Sequence, residues 1–187
     1  LPTLGANPDV MKGLLFLASL LFISIPMLAQ QSVNPEISPY GQVSSVPGVS
    51  LKADPSMLYK IVIEVNNSDT STPAISQPVE LVARLVNLLA LDGVTKNRRE
   101  IAVIFHNAGS YCIQNDEAFS RKYGRPNPNK DALEKLAAAG VQFYVCGQST
   151  VKRKIDPAEI LPQVSIATSF LTSYTSFQLK GYSALKF

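Results

Sequence analysis

Cys146 and His106 are the two side chains through which this chain could do chemistry. Cys146 follows the apolar run Val141-Gln-Phe-Tyr-Val145 and precedes Gly147, which allows a tight turn. A helix beginning near Ser149 would turn its backbone N–H groups back toward the sulfur. Helix N-termini and nearby cations favour the thiolate, and Lys152, Arg153 and Lys154 follow within two turns. A thiolate is a nucleophile and a sulfur acceptor. From spacing alone a buried structural cysteine fits the position too, because free cysteine is among the most buried residue types.

His106, the sole histidine, ends a second apolar run, Glu100-Ile-Ala-Val-Ile-Phe105, and stands beside Asn107. It could move a proton near neutral pH, hydrogen-bond an anion, or simply fix its loop through the backbone. A Cys–His–Asn set suggests thiol hydrolases, but neither spacing nor local signature supports that class. Cys112 lies in Gly109-Ser-Tyr-Cys. If the two apolar runs are neighbouring strands, Cys112 and Cys146 could approach, so a disulfide pair and a lone core thiol both stay open. Tyr111, with His106 and Asn107, could shape a crevice for a small anion. The run Lys152-Arg153-Lys154 reads as a solvated face or as a dock for an acidic partner, and Arg98-Arg99 as surface. The polar segment Asn66–Thr72 lacks the glycines of a phosphate loop. No carboxylates show paired or metal-ligand spacing.

The elements that must position these residues alternate in type. Tyr59–Val65 is β-branched and short, a strand. Pro78 opens a helix with an apolar stripe at Val79, Val82, Leu85, Val86 and Leu89, and Gly93 suits its stop. Glu100–Phe105 is nearly all apolar, as expected of a strand covered on both faces. Ser110–Tyr123 reads as a weakly amphipathic helix. Asn127 can cap a helix that runs from Pro128 to Gly140. Val141–Val145 is the third strand, Leu161–Ala167 contains a fourth, Ser169–Leu179 is a helix and Tyr182–Phe187 a last strand. Alternating strands and helices argue for an α/β domain with a mostly parallel sheet. Sites in such sheets form beyond the carboxyl ends of the strands, where His106 and Cys146 fall.

Composition narrows the function classes. Of 187 residues 46% are hydrophobic and 17% charged, ample for a core and inconsistent with wholesale disorder. A net charge of +3, from 17 basic and 14 acidic residues, argues against a nucleic-acid binder. Two cysteines and one histidine are too few for a disulfide scaffold or a zinc site, and no metal or cofactor is expected.

The apolar excess is concentrated near the start. Lys12 precedes an uncharged stretch from Gly13 to Ala29, with Pro26 breaking it before the small residue Ala29. These are the parts of a secretory signal peptide, here residues 11–29, preceded by an upstream extension at 1–10. An uncleaved anchor is the rival reading. The protein is then expected to be exported, in a periplasmic setting where thiols meet oxidising conditions. Residues 30–56, with Pro35, Pro39, Pro47 and Pro55, read as a linker that stands off a membrane or packs along the domain, which occupies 57–187.

The ordered series Ile104-Phe-His-Asn-Ala108, Asn127-Pro-Asn129, Leu133–Leu136, Ala139-Gly-Val141, Val145-Cys-Gly-Gln-Ser149 and Phe177-Gln-Leu-Lys-Gly-Tyr182 resembles the DsrE/DsrF-like family, over roughly Tyr59 to Phe187. The resemblance implies a three-layer α/β/α fold with a mainly parallel five-stranded sheet, assembled as a homo-oligomer, trimer or hexamer. It implies a persulfide on Cys146, passed between a sulfur donor and an acceptor protein, with the basic pair Lys152-Arg153 close behind. His106 matches a histidine of the branch with the Cys-Gly-Gln-Ser pattern. The expected function is therefore sulfur handling of the persulfide-carrier or sulfurtransferase type, with Cys146 and His106 as reactive groups. Asn107, Tyr111, Gly147, Gln148 and Ser149 are the expected ligand-binding residues. The competing expectations are a non-catalytic oligomeric module that binds a small anion or a partner at the strand-end crevice, and a thiol–disulfide pair of Cys112 with Cys146.

Overall fold

A computed structural model of the protein describes Ser32–Val33 and residues 36–187. The expected signal segment, residues 11–29, and residues 1–10 before it lie outside the described residues. Two short strands, β1 (Ser32–Val33) and β2 (Val43–Ser44), form an antiparallel ribbon. The main sheet comprises β3 (Tyr59–Val65), β4 (Arg99–Phe105), β5 (Gln142–Cys146), β6 (Val164–Ala167) and β7 (Ser183–Lys186). Its order is β6-β5-β4-β3-β7, and every neighbouring pair is parallel. The crossovers carry α1 (Gln77–Leu91), α2 (Asp116–Tyr123), α3 (Lys130–Ala138), α4 (Gly147–Arg153) and α5 (Phe170–Leu179).

Strand alternation gives the sheet two distinct faces. On one, Ile61, Ile63, Val65, Ile101, Val103, Phe105, Phe143 and Val145 form a single cluster with Val79, Val82, Val86 and Leu89 of α1 and Leu133 and Leu136 of α3. Each such side chain contributes about 1.5–3 kcal/mol on burial, so this face holds most of the core. The other face is thinner: Val62, Ala102 and Ile104 are covered by Phe170, Tyr174 and Phe177 of α5, with Tyr144 and Tyr182 alongside. Cys146, His106 and Glu64 lie on this second face, under the start of α5. Among the described residues, no helix is long and apolar enough to cross a membrane.

The Pro- and Ser-rich stretch, expected as a linker that stands off a membrane or packs along the domain, is strapped to α1 over residues 36–41. Ile37 is buried in the larger core cluster. Asn87, with no exposed surface, accepts the N–H of Ile37 at 2.8 Å and donates to the carbonyls of Tyr40 and Gly41, both at 2.9 Å. Gly41 passes so close to α1 that a Cβ there would lie 2.3 Å from backbone atoms of Ala83 and Arg84. Arg99, expected at the surface, is instead buried. It donates to both carboxylate oxygens of Glu36 at 2.8 Å and to the carbonyl of Val86 at 3.2 Å.

Three helix boundaries differ from expectation. The segment after β4 is a 3-10 helix, Asn107–Tyr111, followed by a break, and α2 begins only at Asp116. The break has a local cause, because the Asn115 side chain accepts from Ala118 N and caps α2. The cap of α3 is Asn129, not Asn127. Asn127 is buried and spends its amide on the carbonyls of Cys112 and Gln114. Helix α4 starts immediately after Cys146, at Gly147, two residues before the expected start near Ser149.

Candidate functional site

The early start of α4 makes Cys146 its N-cap residue. The residue is 5% exposed. Burial alone raises a thiol's pKa, but here the Ser149 hydroxyl and the backbone N–H groups of Phe170, Ser149 and Gln148 hydrogen-bond the sulfur. Together they outweigh burial and hold the thiol below its ordinary value. The N–H groups come from the first turns of two helices, α4 and α5, converging on one atom. Gly147 makes the approach possible: a Cβ there would sit 2.9 Å from the carbonyl oxygen of Ala167.

Ser149 is oriented from behind. Its Oγ accepts the backbone N–H of Asn107 at 3.0 Å, which leaves the hydroxyl proton for the sulfur. Asn107 adopts φ 47°, a left-handed conformation that asparagine tolerates, at the turn out of β4.

His106 stands one register step beyond the pair Phe105–Val145, and so laterally beside Cys146 on the neighbouring strand. Its N–H continues the parallel ladder to the carbonyl of Val65 at 2.9 Å. The imidazole stacks on Phe170, with centroids 3.9 Å apart and planes 7° from parallel. Its Nε2 lies 2.9 Å from Glu64 Oε1. Glu64 also meets Lys186 Nζ at 3.4 Å and accepts from Asn66 Nδ2 at 3.3 Å. Phe170 therefore has two functions: its ring covers the histidine and its N–H faces the cysteine.

Sequence reasoning missed Glu64 and Phe170. Glu64 left a signal, as the one charge among Ile61-Val-Ile-Glu-Val65. Phe170 left none, since its role comes from the packing of α5 over the strand ends.

Cys146, His106, Asn107, Gly147, Gln148 and Ser149 are thus gathered at one end of α4. Gln148 is exposed, with Nε2 at 3.5 Å from the carbonyl of Thr168. Tyr111 is not part of this group. Its hydroxyl accepts from Arg153 at 3.0 Å, and Arg153 belongs to the last turn of α4. The expected cationic support is also displaced: no lysine or arginine is among the groups acting on the sulfur. Cys112 is fully buried in the larger core cluster, where burial pushes its thiol up. Its Sγ donates to Ser76 Oγ at 3.5 Å, and both cysteines are free thiols. Among the described residues no group of three or more His, Cys, Asp or Glu is gathered as a metal site would require.

A family model described as DsrE/DsrF-like matches residues 60–187, which includes every residue of this site. The chain belongs to the DsrE/DsrF-like family. A protein of unknown function from Methanobacterium thermoautotrophicum, MTH1491, has a similar solved structure, with TM-score 0.52 and 19% identity over 68% of this chain and 98% of that one. The ychN protein from E.coli has a TM-score of 0.50 and 19% identity, over 69% of this chain and 99% of that one. At these identities the likeness establishes the fold of the DsrE-like domain. No curated protein matches the chain at a significant level.

Proposed function

We propose that this DsrE-like protein is a persulfide carrier working through Cys146. The observation that carries the reading is the sulfur's set of four donors, which favours thiolate in a mostly buried position. Membership of a family of sulfur-relay type supports it. The Cys146 thiolate attacks the outer sulfur of a donor persulfide. One S–S bond forms at Cys146, the donor's S–S bond breaks, and the donor leaves as a thiolate. The exchange is redox-neutral, and the reverse step on an acceptor thiol regenerates Cys146. The same donors that hold the thiolate suit the terminal persulfide anion. His106, oriented by Glu64, is the group we assign to protonate the leaving thiolate.

The reading extends to an exported homo-oligomer. Support for export is the run from Lys12 through Gly13–Ala29. Support for assembly is α5, which carries no buried residue and exposes Leu171 at 74% and Leu179 at 84%.

The test is intact-mass spectrometry before and after incubation with a polysulfide donor. A gain of about 32 Da per sulfur that disappears in Cys146→Ser and persists in Cys112→Ser is the expected result. An adduct that survives Cys146→Ser, or no adduct on either thiol, overturns the carrier and leaves binding without chemistry.

A further inference from the structure

A second cleft lies at the other end of α4. Tyr111, Gln114, Lys122, Arg153 and Lys154 line it, with Arg121 and Glu159 at one side. Its volume is about 210 Å³. The lining carries four cations against one carboxylate, an excess of +3, and the whole chain's net charge is +3. The protein's positive excess is thus equal to the excess in this one cleft, and the rest of the chain is neutral on balance. Glu159 is already committed, since it pairs with Arg121, which also holds Glu117 at 2.8 Å. Among the described residues, Lys122, Arg153 and Lys154 form no ion pair.

These cations are arranged around one phenol. Lys122 Nζ lies 3.7 Å from the Tyr111 ring centroid. Arg153 caps the hydroxyl at 3.0 Å and its guanidinium carbon is 5.0 Å from the same centroid. With Arg153 donating to the phenolic oxygen, the phenolic proton is directed elsewhere, and most of the five N–H donors of the guanidinium are unused. Tyr111 is held below its ordinary pKa, first by Lys122 and, against burial, by Arg153, which strengthens its O–H as a donor.

An independent observation comes from the floor. Gln114 is 4% exposed, and its Oε1 is buried without a hydrogen-bond partner. A buried amide left unpaired is uncommon and calls for a partner. Turning the amide by 180° preserves its shape and puts the NH2 where Oε1 stands, so it can donate an N–H to a ligand oxygen.

We propose that this cleft binds a small tetrahedral oxyanion of the phosphate or sulfate class. Such an ion presents four oxygens to the Tyr111 O–H, the Arg153 fork, the ammonium groups of Lys122 and Lys154 and the Gln114 amide. The cleft has room for an ion of this kind. An acidic protein segment would need an apolar seat beside the charges, and the exposed side chains here are polar. The site is separate from Cys146 and does not depend on the carrier reading.

The test is calorimetric titration of the full chain with inorganic phosphate at constant ionic strength, with sodium chloride as the control. Saturable phosphate binding, weakened about tenfold or more in Lys122→Met and in Arg153→Met, is expected from the loss of a charge-assisted contact. Lys122 is exposed, so its variant decides the matter if Arg153→Met fails to fold. Three results would overturn the proposal: equal heats with chloride, phosphate binding unchanged in Lys122→Met, and saturable binding of a poly-glutamate peptide without any of phosphate.

Discussion

The backbone N–H of Asn107 donates to Ser149 Oγ at 3.0 Å, and the Ser149 hydroxyl hydrogen-bonds Cys146. The turn after β4 thereby sets the proton on the side chain that lowers the thiol's pKa from the turn after β5. Ser149→Ala should raise the Cys146 pKa, because it removes the largest of the lowering contributions and leaves burial in place. Iodoacetamide alkylation below the thiol's pKa should slow, with no difference at high pH where both proteins are thiolate. An unchanged pH–rate curve would rule out the hydroxyl as a determinant.

The two thiols should differ sharply in the native protein. Cys112 has no exposed surface and burial raises its pKa, whereas Cys146 is 5% exposed and its pKa is lowered by its four donors. Under native conditions a limiting amount of alkylating reagent should label Cys146 alone, with Cys112 labelled only on unfolding. Peptide mapping after a timed pulse checks this, and appreciable label on Cys112 from the native state would contradict it.

Stability should carry the same signature. The folded-state pKa of Cys146 is depressed below its unfolded value. The thiolate is then favoured by folding, and the contribution is fully present above the unfolded value, near 8.5. It fades as pH falls toward the folded value. Denaturant titrations between neutral and alkaline pH should show wild type gaining stability over Cys146→Ser as pH rises through this window. Parallel pH profiles would show that the donors do not favour the charged form.

How much of this was legible in the sequence depends on distance along the chain. The sheet was readable because the apolar runs ending at Val65, Phe105 and Val145 are local patterns, and because strands alternating with helices leave few topologies. Cys146 and Ser149 were readable because they are three residues apart in one turn. Glu64 reaches the site from 42 residues before His106 and Phe170 from the start of α5, and only packing joins them. Tyr111 was placed with His106 because the two are close in sequence. A 3-10 helix, Asn107–Tyr111, carries it away toward the last turn of α4. Packing of residues 30–56 along the domain was one of two readings open in the sequence, but the points at which they strap α1 were not legible, for another reason. Its anchors are single hydrogen-bonded side chains such as Asn87, which leave no periodic signal.

Asn87 should be among the most sensitive positions outside the site. It has no exposed surface and satisfies four backbone groups, including the N–H of Glu36 at 3.2 Å. Asn87→Ala leaves these groups without their partner, at about 1–3 kcal/mol for a buried group left unmet. The strap should come loose before the sheet does. Limited proteolysis should cut within residues 36–53 faster than in wild type, and equal rates would show that Ile37 and Arg99 hold the strap without Asn87.

Glu64 separates orientation from chemistry at the histidine. Glu64→Ala removes the partner of His106 Nε2 and of Lys186 together. A loss of about 1–3 kcal/mol is expected from the unpaired, largely buried imidazole. Glu64→Gln keeps a hydrogen-bonding oxygen near the same place and should recover much of that stability. If His106 protonates the leaving thiolate, sulfur transfer from a polysulfide to Cys146 should slow in both variants. Either substitution removes the carboxylate that orients the ring at Nε2. Normal transfer rates in a fully folded Glu64→Gln protein would reduce the Glu64–His106 pair to a structural contact under Phe170 and leave Cys146 with its four donors as the whole of the reactive site.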